Sequence, residues 1–150
     1  MSETEDLLRA TRASLARLVA ALDALEARGE DALQLRTGSG WTVSATLAHL
    51  AFYDDWVAAR WQRRLTEGQF QDLPDDITDL ANAAGERGWH GVHGPRATKI
   101  ARDAATALAG LLEELPPAVL EDAVVTDRPA MVDRSLHWNP HLEEIQRALA

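Results

Sequence analysis

Apolar positions along the chain recur at spacings of three and four and nowhere alternate every second residue, so the pattern predicts helices without strands. Leu8, Leu15, Leu18, Leu22 and Leu25 form one stripe that ends before Arg28-Gly29 and marks a first helix. The polar stretch from Gly29 to Gly40 reads as a connection. Thr42 and Ser44 are both suited to cap a second helix that runs to about Thr66. Residues 67–95 are less regular, with a short helix expected near Ile77 to Ala84 and a glycine-rich loop after it. Ala97, Ile100, Ala104, Leu108, Leu111 and Leu115 mark a third long helix, which Pro116-Pro117 stops. An irregular link to Asp133 leads into a last helix carrying Leu142, Ile145 and Leu149. Four principal helices with short to medium links predict an all-α, four-helix bundle, one domain over residues 1–150.

The second helix is apolar on two sides. Leu47, Leu50, Ala51, Val57, Ala58, Trp61 and Leu65 share a face suited to the core. His49, Phe52, Tyr53, Trp56 and Arg60 gather roughly opposite, leaving a narrow solvent strip at Asp55, Ala59 and Gln62. Such a helix is either central and buried or lends its aromatic face to a ligand cleft or subunit interface. With His49 in its midst, the aromatic face is expected to line a pocket, with Tyr53, Trp56 and Arg60 contacting substrate or cofactor. The apolar surplus also predicts a homodimer.

Composition narrows the functional classes. The net charge of −9 and pI near 4.9 exclude a general nucleic-acid binder. The absence of cysteine removes disulfides, thiolate ligands and a cysteine nucleophile. No apolar run approaches the ~20 residues that span a bilayer, and Ser2 to Asp6 is acidic where a signal segment is basic. A cytoplasmic protein without membrane contact is expected. Nucleophile elbows, phosphate-binding glycine loops, dinucleotide fingerprints and His-Glu-x-x-His are all missing.

The chemistry lies in the histidines. Of five in the chain, His49, His137 and His141 are placed where a helical fold could join them. Three neutral imidazoles on one divalent cation leave a coordination position open, as a catalytic site requires. Pro140 complicates the pair: inside a helix it loses a hydrogen bond and crowds the carbonyl four back, at a cost of ~3 kcal/mol. The spacing therefore predicts Asn139 as N-cap and Pro140 as the first helical residue, with His141 in the first turn and His137 on the incoming loop.

The run Trp41-Thr42-Val43-Ser44-Ala45-Thr46-Leu47-Ala48-His49-Leu50, followed by aromatics and Arg60, resembles the second helix of the DinB/YfiT-like superfamily. His137-Trp138-Asn139-Pro140-His141-Leu142-Glu143-Glu144-Ile145 resembles that family's His-x-x-x-His helix, 88 positions after His49. The resemblance implies an up-down-down-up bundle, often dimeric, that binds zinc or nickel through three histidines. It also implies a thiol-dependent S-transferase or maleylpyruvate isomerase using a low-molecular-weight thiol (mycothiol, bacillithiol or glutathione), although many relatives have no assigned reaction. A hydrolase acting on a small molecule is the companion expectation. The competing class is a non-catalytic dimeric bundle with vestigial histidines.

The remaining candidates each carry two readings. His90 and His93 are either a lid with a proton shuttle or spare ligand, or incidental histidines on an exposed loop. Asp54, on the core face, needs an arginine partner, or else orients a histidine ring. Arg60 receives an anionic group or forms a surface ion pair. Glu143 and Glu144 are expected to favour the first turn of the last helix.

Overall fold

The computed structural model describes residues 2–150, and they form helices α1 (Glu3–Arg28), α2 (Glu30–Leu33), α3 (Val43–Glu67), α4 (Ile77–His90), α5 (Gly94–Glu114), α6 (Pro117–Val125) and α7 (Ser135–Leu149), with a 3₁₀ turn at Pro129–Met131 before the last. Among the described residues there is no strand, only an isolated bridge between Arg36 and Thr42. An all-helical fold is thus as expected, but with more helices than four. Among the described residues no helix is long and apolar enough to cross a membrane.

Local chemistry sets the ends. The Ser2 hydroxyl accepts from the Glu5 amide at the start of α1, and the Thr42 hydroxyl accepts from the Ala45 amide at the start of α3. Ser44 does not cap; its hydroxyl donates to the Val92 carbonyl and ties α3 to the segment before α5. Gly68, in the left-handed region at φ 84°, ends α3.

The long helices α1, α3, α5 and α7 pack around Leu18, Leu22, Leu25, Leu47, Leu50, Trp138, Leu142 and Ile145. Ala97, Ala101 and Ala105, one turn apart on α5, present so little side chain that α5 lies close along α3. A second cluster, with Trp61, Leu108, Leu112 and Leu120, fills the other end. Leu65, expected on the core face, is instead exposed near the end of α3.

Three expectations are corrected. Helix α4 does not stop near Ala84 but continues through Gly85 and Gly88 to His90. Trp89 is the reason: its ring folds back over Gly85, where a Cβ would lie 2.4 Å from it, and buries against Ala45, Ala48 and Tyr53. The segment after Pro116-Pro117 is not irregular, because Pro117 opens α6 at a first-turn position that needs no donor. Helix α7 begins at Ser135, not at Pro140, with Asp133 Oδ1 accepting from the Ser135 amide 3.0 Å away. Pro140 then costs one bond, to the Leu136 carbonyl, and both residues are exposed, so water can satisfy it. Asn139 caps nothing; its side-chain oxygen accepts from Ser14 of α1 at 2.7 Å.

The aromatic face of α3 is largely engaged within the chain. Trp89 of α4 lies 4.9 Å from the His49 ring and 5.5 Å from Phe52, centroid to centroid. The apolar surplus that suggested a homodimer is therefore partly spent on α4.

Candidate metal centre

With α7 starting at Ser135, His137 is its third residue and His141 its seventh, so the two share one face a turn apart. His49, the seventh residue of α3, faces them. Ring centroids are 5.1 Å apart for His49 and His137, 4.8 Å for His49 and His141, and 5.0 Å for His137 and His141. One nitrogen from each ring falls within 4.8 Å of the others, and the cluster can hold a metal ion. His49 is only 5% exposed. His90 and His93 lie outside the cluster on exposed positions.

Burial keeps these rings neutral. It lowers the His49 pKa to about 4, with His141 adding a smaller push. It lowers His137 further, to about 2, helped by Arg134 and the other two histidines. His141 is also lowered by burial, against the opposing pull of Glu144, whose Oε2 lies 3.7 Å from His141 Nδ1. Glu143 and Glu144 are thus in the third turn of α7, not the first, and Glu144 acts on His141 rather than on the helix end.

Neutral imidazoles are the form that ligates. A divalent ion with bonds of about 2.0–2.1 Å holds its donors roughly 3.3 Å apart, and His49 Nε2 and His137 Nε2 are 3.1 Å apart. The buried Nδ1 atoms of His49 and His141 have no hydrogen-bond partner. As a donor set the residues fit such an ion. The surroundings of His137 are unusual for one, because ligating imidazoles ordinarily donate their second N–H to an acceptor. Here Arg134 Nη2 stands 3.2 Å from His137 Nδ1.

Arg134 went unnoticed in the sequence. Its Nε and Nη2 donate to Asp54 Oδ1 at 3.2 and 3.1 Å, and its Nη1 to the Ala130 carbonyl at 3.0 Å. Trp138 Nε1 lies 3.0 Å from each oxygen of Asp54. The expected arginine partner of Asp54 is therefore present, and through it the carboxylate reaches a histidine indirectly. Burial pushes the Asp54 carboxyl up, to about 6, against Arg134 and Trp138. The only advance signal was the need of a buried Asp54 for a cation, which does not select among 14 arginines.

A cavity of about 720 Å³ opens beside the triad, lined by all three histidines and by Tyr53, Trp56 and Arg60 as expected. Trp41, Arg128, Met131 and Arg134 are also among its lining residues. The Tyr53 hydroxyl is 2.8 Å from Asn82 Oδ1 and 3.1 Å from the Thr78 carbonyl, so it holds α4 over the site and offers its ring to the cavity. Its pKa is raised, by burial first and by Asp79 second. Among the described residues Arg60 forms no ion pair; its Nη2 donates to the Gln71 carbonyl at 2.9 Å and its Nη1 lies 3.8 Å from Met131 Sδ.

No family model, curated protein or solved structure matches the chain.

Proposed function

We propose that the protein is a divalent-metal-dependent enzyme of the DinB/YfiT-like class acting on a small molecule, with α1, α3, α5 and α7 as its up-down-down-up bundle. The observation that carries this reading is the convergence of one buried and two half-buried histidines, all neutral, on the lining of a ligand-sized cavity. The donor chemistry suits zinc or nickel. A bound ion would supply a Lewis acid and lower the pKa of a water or thiol held beside it. A low-molecular-weight thiol as co-substrate makes the protein an S-transferase or isomerase; water makes it a hydrolase.

The residues themselves perform the rest. His49, His137 and His141 present uncharged donors because burial keeps protons off them. Trp41, packed 5.1 Å from the His49 ring, and Tyr53, at 4.9 Å, exclude water from one side. Trp56 and Arg60 extend the wall away from the triad.

A second reading is favoured by the Arg134 contact. With Arg134 donating to His137 Nδ1, the His137 proton sits on Nε2 and points at His49 Nε2, an internally hydrogen-bonded histidine pair with no ion. In that case the bundle is non-catalytic. Elemental analysis of the purified protein separates the two. Stoichiometric zinc, nickel or another divalent metal, followed by turnover in a panel of thiols and electrophiles, supports the enzyme; metal-free protein that refuses added zinc and nickel supports the second reading.

A further inference from the structure

Three arginines line the cavity, and they are not equivalent. Arg134 is paired with Asp54 and Arg128 with Asp72, but among the described residues Arg60 has no carboxylate within ion-pair distance. Asp127 and Glu144 also line the cavity, yet neither forms a bridge to Arg60. Arg60 and Arg128 stand over the same Phe70 ring, 5.8 and 5.4 Å from its centroid. Asp72, the acid that pairs with Arg128, is 98% exposed. One positive charge is left open at this end of a chain whose net charge is −9.

We propose that the cavity binds an amphipathic monocarboxylate, its acid group on Arg60 and its apolar body along Tyr53 and Trp56. A planar guanidinium matches a carboxylate in a two-bond fork. A single open cation selects a monoanion over a phosphate dianion. Along α3, Tyr53, Trp56 and Val57 lie between His49 and Arg60 and give the cavity an apolar flank there, with Met131 against Arg60. Arg60 follows His49 by eleven positions on α3, a rise of roughly 16 Å. Its side chain leans back toward the helix N-terminus, so a body on the order of 10 Å long spans the gap. Burial and the nearby Arg128 lower the Arg60 pKa, a penalty on its charge that a bound anion relieves. The orientation, with the far end of the ligand at the triad, rests on the proposed enzymatic reading; the carboxylate site on Arg60 does not.

The test is binding of 6-phenylhexanoate, 6-phenylhexanol and 6-phenylhexyl phosphate, followed by calorimetry on protein both as purified and after chelator treatment. The acid should bind at least tenfold tighter than the alcohol, and Arg60→Gln should remove that advantage while leaving alcohol affinity unchanged. Should Arg60→Gln lose the alcohol as well, Arg60→Lys decides: a threefold or larger loss for the acid alone supports the site, and unchanged acid binding overturns it. Equal affinity for acid and alcohol in the parent, or tighter binding of the phosphate, overturns the proposal. So does an acid preference that disappears on chelation, which places the acid on the metal. A preference shown by parent protein that neither carries nor takes up zinc or nickel refutes the enzymatic reading and leaves the carboxylate site standing.

Discussion

Arg134 places its Nη2 3.2 Å from His137 Nδ1 while the opposite nitrogen of that ring lies 3.1 Å from His49 Nε2. A cation thus stands where a carboxylate usually backs a ligating histidine, and Asp54 stands one step further out. The arrangement leaves His137 without a charge and fixed in orientation, and it makes the stability of the site depend on a buried ion pair.

That dependence is measurable. Asp54 is 1% exposed, so removing Arg134 leaves a buried carboxylate without its cation. Arg134→Met should destabilise the fold by about 3–5 kcal/mol. The double change Asp54→Leu with Arg134→Met should recover most of that loss, because no unpaired charge remains. Urea unfolding checks both; a double variant no more stable than Arg134→Met would show that Asp54 carries no buried charge.

The histidines separate cleanly into two groups. His49→Ala, His137→Ala and His141→Ala should each lower zinc or nickel affinity by at least an order of magnitude, since two ligands do not hold the ion in the same geometry. His90→Ala and His93→Ala, exposed and outside the cluster, should bind as the parent does. Titration calorimetry with chelator-buffered metal gives the comparison. Parent-like affinity in all five single variants would end the metal reading.

Much of this was legible in the chain. The leucine stripe of α1, the Thr42 cap and the identity of the three histidines are local patterns, and local patterns survive into the fold. What was hidden depended on particular side-chain contacts that periodicity does not show, two of them near in sequence and one distant. Gly85 and Gly88 look like loop residues until Trp89 is seen packed across Gly85. Pro140 looks like a helix start until Asp133 is seen holding the Ser135 amide one turn and more upstream. Arg134 is indistinguishable from surface arginines until Asp54, 80 positions earlier, is placed against it. Only the Arg134 miss is a distant tertiary contact; the other two turn on a single side chain two or four positions away.

Acid should weaken the metal-free protein in a defined window. The His49 pKa falls from 6.5 in the unfolded chain to about 4 in the fold, chiefly through burial. Between those values the unfolded state binds more protons, so stability is fully present above pH 6.5 and is lost as pH falls toward about 4. His137 and His141, also lowered, act in the same direction, while the raised Asp54 carboxyl, at about 6 in the fold, opposes them between about pH 6 and 3.8. The urea midpoint should therefore drop across this window, and drop less in His49→Phe. A drop no smaller in His49→Phe than in the parent would contradict the burial of a neutral His49.

Two glycines of α4 should respond oppositely to the same change. Alanine at a helical glycine ordinarily stabilises by up to ~1 kcal/mol. At Gly88 a Cβ meets nothing within 4 Å, so Gly88→Ala should show that gain. At Gly85 it would lie 2.4 Å from the Trp89 ring. That ring is packed against Trp41, His49 and Phe52 and has no free side to move into. Gly85→Ala should therefore destabilise by about 1–3 kcal/mol, the usual cost of overpacking. Because Trp89 covers His49, the same variant should also weaken metal binding and shift the tryptophan emission, whereas Gly88→Ala should do neither. Equal stabilisation by both substitutions would mean that Trp89 does not rest on Gly85 and that α4 is not held over the triad in this way.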